Sequence, residues 1–199
     1  MSNEQNKLNE DVILYLLWKR AKSRNSKCFF KLKHNVSPER DWYFYFSPDV
    51  DFLEVTAERE IIGYEVKGIR LSKNKQEKFP PYYSGLDEAM AYLGLPRISR
   101  NGERFLEGGK IDKVYLVHPI SKEQDVDKTW RKILETTPIG YIGILPSGKF
   151  LEVIPARLNP ILNEEAKEFL LKNLDTLESF SERSKTFLSI WKRFFNIKL

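Results

Sequence analysis

The chain has 199 residues, a formal net charge of +5 and a single cysteine, Cys28. One cysteine excludes an intrachain disulfide framework, a multi-cysteine zinc site and a cysteine-ligated iron–sulfur cluster within one chain. The mild basicity suits a polyanionic partner without requiring one, and the Lys- and Glu-rich makeup is a feature shared with hyperthermophile proteins. No N-terminal apolar run resembles a signal peptide and no stretch approaches the length of a membrane span. Both features predict a soluble, intracellular, cytoplasmic protein that does not engage a membrane.

In chain order, residues 8–24 read as an amphipathic helix, with Ile13, Leu14, Leu17 and Ala21 on one stripe and Glu10 at its start. Phe29–Lys33 and Trp42–Phe46 are short strand-like runs around the polar segment His34–Arg40. Segments 50–56 and 60–68 form a predicted hairpin, followed by a basic loop, Leu71–Lys78. A helix is expected to begin near Ser84, where Ser84 and Asp87 match a capping box, with Leu86, Ala89, Met90 and Leu93 as its apolar stripe. Residues 97–110 carry three glycines among charges and read as a flexible loop. A strand at Val114–Val117 and a helix at 123–135, with Trp130, Ile133 and Leu134 inward, come next. Strands at Ile139–Leu145 and Lys149–Ile154 flank a Pro-Ser-Gly turn, and helices at 163–177 and 181–196 complete the chain. This order predicts an α/β sandwich with a mixed sheet flanked by helices. Residues 1–158 form its core and 159–199 a C-terminal helical extension.

The hairpin carries the chemistry. Its second strand reads Ile61-Ile62-Gly63-Tyr64-Glu65-Val66-Lys67-Gly68, and alternation puts Glu65 and Lys67 on one face with Ile62, Tyr64 and Val66 on the other. Pro48-Asp49-Val50-Asp51 opens the first strand. A carboxylate and an ammonium side by side, facing a further Asp, suit a divalent metal and an activated water. Which Asp faces Glu65 depends on register. A five-residue loop, Thr56–Glu60, pairs Val55 with Ile61, Leu53 with Gly63 and Asp51 with Glu65, whereas a three-residue loop puts Asp49 opposite Glu65. The longer loop lets Ile61 join the strand and favours Asp51, with Asp49 as its neighbour.

Over residues 8–120 this arrangement resembles the PD-(D/E)xK nuclease superfamily, which implies a restriction-endonuclease-like fold. Family spacing favours Asp51 as the first acid, and the family often supplies a further Glu from its first helix, here Glu10. Many members write a Gln and, four residues on, a Tyr in the next helix; Glu88 and Tyr92 hold those positions here, so the Gln is replaced. The resemblance implies that Asp51 and Glu65, with Glu10 and Asp49, hold Mg²⁺ or Mn²⁺. Lys67 then orients the attacking water or stabilises the pentavalent transition state, and Glu88 is left to hydrogen-bond, hold a water or approach the metal. DNA is the implied partner, and branched DNA by analogy with archaeal Holliday-junction resolvases.

Arg70, Lys73, Lys75 and Lys78 follow the hairpin directly and, with Tyr92, are the candidate nucleic-acid contacts. His118 is expected to be structural. The final helix gathers Phe187, Ile190, Trp191, Phe194 and Phe195, an aromatic stripe whose covering is its own domain, a homodimer seam or a membrane surface. A homodimer is the expectation, since two-fold symmetry is the simplest way to cut both strands. Two rival readings of the whole chain stand beside the nuclease: a nucleic-acid-binding module without catalysis, and a dimeric scaffold.

Overall fold

The computed structural model describes residues 8–32, 36–39, 42–74, 76–122 and 126–174. A six-stranded mixed sheet forms its centre. It is built from β1 (Lys27–Leu32), β4 (Val50–Val55), β5 (Ile61–Val66), β10 (Lys113–Pro119), β11 (Gly140–Ile144) and β12 (Phe150–Ile154), adjacent in that order. The inner pairs β5–β10 and β10–β11 are parallel, and the outer pairs are antiparallel. A second sheet holds β2 (Val36–Glu39), β3 (Trp42–Tyr45), β8 (Arg97–Arg100) and β9 (Glu103–Phe105). A small hairpin pairs β6 (Arg70–Leu71) with β7 (Glu77–Lys78).

Strand β5 is buried along its whole length because both of its faces are covered. Ile62, Tyr64 and Val66 point to a core shared with α1 (Glu10–Lys22). Ile61 and Gly63 point the other way, to a core shared with α2 (Leu86–Tyr92) and α3 (Lys128–Glu135). Helix α1 is well specified: Asn9 caps it by accepting from the Val12 amide at 2.9 Å, acids fill its first turn and bases its last. Its buried residues are the predicted Ile13, Leu14, Leu17 and Ala21.

Several expectations are corrected. The predicted loop 97–110 contains β8 and β9, and the polar segment 34–40 contains β2. The expected box on Ser84 is absent: α2 starts at Leu86 behind Gly85, which makes no side-chain cap. Met90 and Ile133 are exposed rather than inward, and Tyr92 takes the core position on α2. Among the described residues, helix α4 spans Glu164–Lys172 within the expected 163–177, and it packs into the main core through Leu170. Its Phe169 ring meets Trp42, Phe44 and Phe105 of the second sheet, at centroid distances of 4.6, 5.9 and 5.9 Å. The aromatic stripe at 187–195, the dimer seam expected there and Lys75 lie outside the described residues.

One buried amide ties the start of β10 to its surroundings. The Asn159 side chain donates to the carbonyls of Leu93 and Ile111 at 2.7 and 2.9 Å, and accepts from the Ile161 amide at 3.0 Å. Asn159→Ala strands buried backbone groups and should lower unfolding free energy by about 2–4 kcal/mol, measurable as a lower urea midpoint.

Candidate active site

The loop between β4 and β5 is the five-residue one. Val55 lies opposite Ile61, Leu53 opposite Gly63 and Phe52 opposite Tyr64, and the Thr56 amide donates to the Glu60 carbonyl at 2.9 Å. Continued one step, this register brings Asp51 level with Glu65 at the open end of the hairpin. Both carboxylates are buried, Glu65 to 2 % exposure. Asp51 accepts from the Val66 amide at 2.9 Å and Glu65 from the Lys67 ammonium at 2.5 Å.

Helix α2 closes the site from one side. Glu88 and Tyr92, one turn apart, share a helix face, and that face lies over Glu65 and Lys67. Glu88 holds Lys67 at 2.7 Å. The Tyr92 hydroxyl bonds Glu65, meets the Asp49 carbonyl at 2.7 Å, and accepts from the Asp51 amide at 3.1 Å. Gly85 makes this approach possible. Its φ of 86° is open to glycine, and a Cβ there would sit 2.8 Å from Lys67 Cε and 3.0 Å from Glu65 Cγ. The late start of α2 therefore reflects the room these two side chains need.

Helix α1 closes the other side. Gly68 lies so close to its first turn that a Cβ would run into the backbone of Asn9 and Glu10, and the Ile69 amide donates to the Leu8 carbonyl at 2.8 Å. Glu10 is thereby fixed beside the end of β5. Its carboxylate reaches Lys31, which also bonds Asp51. Lys31 has φ of 47°, left-handed for a non-glycine residue, and it kinks β1 between the pairs Phe30–Phe52 and Leu32–Val50 without shifting the register, which leaves it level with Asp51. That kink aims the ammonium at the two acids.

The electrostatics follow from burial. Burial first, then the Asp51 charge, push the Glu65 carboxyl up to about 8, against the hydrogen bonds from Lys67 and Tyr92. Burial also raises Asp51, opposed by Lys31. For both lysines burial works to lower the pKa, yet their acid partners prevail and the net shift is upward: Asp51 and Glu10 for Lys31, Glu65 and Glu88 for Lys67. The result is an alternating cluster of buried carboxylates and ammonium groups.

Asp51 and Glu65 supply hard oxygen donors of the kind Mg²⁺ takes, one or two carboxylates completed by water and substrate phosphate. Each of their oxygens also has a protein partner: Lys31 and the Val66 amide on Asp51, Lys67 and the Tyr92 hydroxyl on Glu65. No group of three or more acid, His or Cys side chains gathered for a metal occurs among the described residues, and Glu10 is engaged by Lys31.

No protein-family model, curated protein or solved structure matches this chain.

The expected residues thus divide. Asp51, Glu65, Lys67, Glu10 and Glu88 converge. Asp49 contributes its backbone carbonyl to Tyr92. Tyr92, expected to touch nucleic acid, is 0 % exposed, so its part is to position Glu65. Arg70, Lys73 and Lys78 are exposed on the β6–β7 hairpin, and Arg70 and Lys78 share with Lys67 a pocket of about 160 Å³ beside Phe79. Lys31 is not singled out by sequence, because its backbone leaves the strand alternation.

His118, at the end of β10, is structural as expected. It is buried, with Nε2 2.9 Å from the Ser84 carbonyl and Nδ1 3.3 Å from the Tyr141 hydroxyl, which suits a neutral ring donating through one nitrogen and accepting through the other. Burial lowers its pKa from 6.5 to about 4. Between those values the unfolded state binds the extra proton. Stability from this residue is therefore full above pH 6.5 and lost as pH falls towards 4. His118→Gln should remove a pH-dependent contribution of roughly 3 kcal/mol from that window, seen by comparing urea midpoints of variant and wild type across pH.

Proposed function

We propose that the protein is a metal-dependent nuclease that hydrolyses phosphodiester bonds in DNA, on a restriction-endonuclease-like fold. The observation that carries this reading is the meeting of Asp51, Glu65 and Lys67 at one end of the central sheet, with Glu10 and Glu88 brought in by the two flanking helices. Asp51 and Glu65 are the residues that would hold Mg²⁺ or Mn²⁺. When bound, the ion lowers the pKa of a coordinated water and offsets charge on the scissile phosphate.

The remaining chemistry belongs to the chain. Lys67, kept charged by Glu65 and Glu88, lies where it can donate to a phosphate oxygen or orient the attacking water. Tyr92 and the Val66 amide fix the two carboxylates. Arg70 and Lys78 line the same pocket as Lys67, so a phosphate backbone gripped by them is delivered to the ammonium. A second reading, a nucleic-acid-binding module without catalysis, draws support from Lys31, whose ammonium already pairs with Asp51 and Glu10.

Incubation of the purified protein with linear, circular, single-stranded and branched DNA, in Mg²⁺, Mn²⁺ or EDTA, separates the two. Cleavage that EDTA stops supports the nuclease; DNA binding without cleavage in either metal selects the binding module. In the nuclease reading, Glu65→Gln and Asp51→Asn each lower the cleavage rate by roughly 100-fold or more while circular dichroism shows an intact fold. Wild-type rates in both variants would refute the assignment.

Lys67→Ala should reduce the single-turnover rate far more than DNA affinity, because its work is at the transition state. Neutralising Arg70, Lys73 and Lys78 together should do the opposite. Affinity falls, and the slope of log affinity against log salt shrinks by about 0.9 for each phosphate that the variant no longer neutralises.

A further inference from the structure

A second basic cavity lies at the other end of α2. It has a volume of about 330 Å³ and is walled by Gly94, by Arg97 and Arg104 of the β8–β9 hairpin, and by the segment from Leu106 to Lys110. Lys110 is only 2 % exposed, yet among the described residues its ammonium donates to a carbonyl, that of Gly108, rather than to a carboxylate. The nearest acid in the wall, Glu107, is exposed and lies 3.7 Å from Arg104. A buried ammonium satisfied by a carbonyl alone is costly unless an anion completes it. Burial holds its pKa down to about 8, only partly offset by Glu107.

The outer face of the second sheet adjoins this cavity. Tyr45 lies opposite Arg97, Tyr43 opposite Ser99, and Ser99 opposite Arg104, so the two tyrosines and the two arginines share one face. The tyrosine rings stack on each other with centroids 6.1 Å apart, Tyr43 is exposed, and both arginines are exposed. Aromatic faces beside guanidinium groups stack bases, and a basic cavity at their edge seats a phosphate.

We propose that this cavity and sheet face bind single-stranded nucleic acid, one backbone phosphate seated against Lys110 between Arg97 and Arg104 and bases stacked on Tyr43 and Tyr45. The choice of polymer rests on charge complementarity here and on the nucleic-acid reading above; the surface itself is separate from the carboxylate cluster.

The test is fluorescence anisotropy of a short labelled oligothymidine with the full chain in EDTA, at low and at physiological salt. Lys110→Met should weaken binding about tenfold and reduce the salt slope by roughly 0.7, the share of one single-strand phosphate. The same variant should melt at a higher temperature than wild type, which separates weakened binding from a damaged fold. Tyr43→Ala with Tyr45→Ala should weaken binding by about tenfold or more while leaving the salt slope unchanged. Pyrophosphate should displace the oligonucleotide from wild type. Unchanged affinity in Lys110→Met, or no oligothymidine binding at all, overturns the proposal. Pyrophosphate that binds wild type but is not displaced by oligothymidine also overturns it and assigns the cavity to a small phosphate ligand. Binding is read in EDTA, where a metal-dependent nuclease does not cut, so a protein that binds here yet cleaves nothing in Mg²⁺ or Mn²⁺ refutes only the nuclease reading. One that cleaves duplex DNA and ignores oligothymidine refutes only this one.

Discussion

Two carboxylates buried at the same end of one hairpin are the constraint around which the molecule is arranged. Asp51 and Glu65 each lose hydration; the Asp51 charge opposes ionisation of Glu65, and the Glu10 charge opposes that of Asp51. Such a pair persists in a fold only when positive charge and hydrogen-bond donors are brought to it. Here the supply comes from four directions: Lys67 two residues along the same strand, Lys31 from a kink in β1, the Val66 amide, and the hydroxyl of Tyr92. Glu54 shows the contrast. It is equally buried on the neighbouring strand, but Arg24, Ser26 and Tyr64 satisfy its oxygens at 2.7–2.8 Å, and it belongs to the packing of the α1 face. Glu65 remains the acid whose environment opposes its charge most clearly.

The two helices meet this constraint in different ways. α1 approaches by its N-terminus, where Gly68 lets backbone lie on backbone and a single acid, Glu10, is carried to the edge of the site. α2 approaches by a lateral face, made accessible by Gly85, and presents an acid and a phenol one turn apart. Both glycines follow or face the Glu-x-Lys segment, so the sequence around it is shaped by what must fit against those side chains.

Much of this was legible in the chain. The hairpin, its register and the shared face of Glu65 and Lys67 follow from alternation and from the five residues available for the loop. Glu10 and Glu88 were legible through the family resemblance, which supplies an acid from the first helix and a Gln position on the next, rather than from alternation. Lys31 was not, because nothing in Phe29-Phe30-Lys31-Leu32 signals a left-handed lysine; alternation assumes an unbroken strand. The β8–β9 hairpin was missed although its signal was present. Asn101-Gly102 is a two-residue turn, with φ of 51° and 83° and Arg100 paired to Glu103 around it. Its flanks carry alternating Arg, Ile, Ser and Arg, which reads as a charged loop unless the turn is given priority. Ser84 misled because a capping motif describes local preference, and here packing against Lys67 decides where α2 starts.

Helix α2 has one end at each of two basic places among the described residues: Gly85 rests on Lys67, and Gly94 stands in the wall of the cavity that holds Lys110. Its seven residues, at about 1.5 Å of rise each, make a rod roughly 10 Å long. Packed into the core through Ala89 and Tyr92, that rod cannot change length or slide without breaking the hydrogen bond that seats Glu65. It is therefore a ruler. Any polymer anchored at one of its ends would encounter the other at a fixed interval, set by the number of residues in the helix rather than by the polymer.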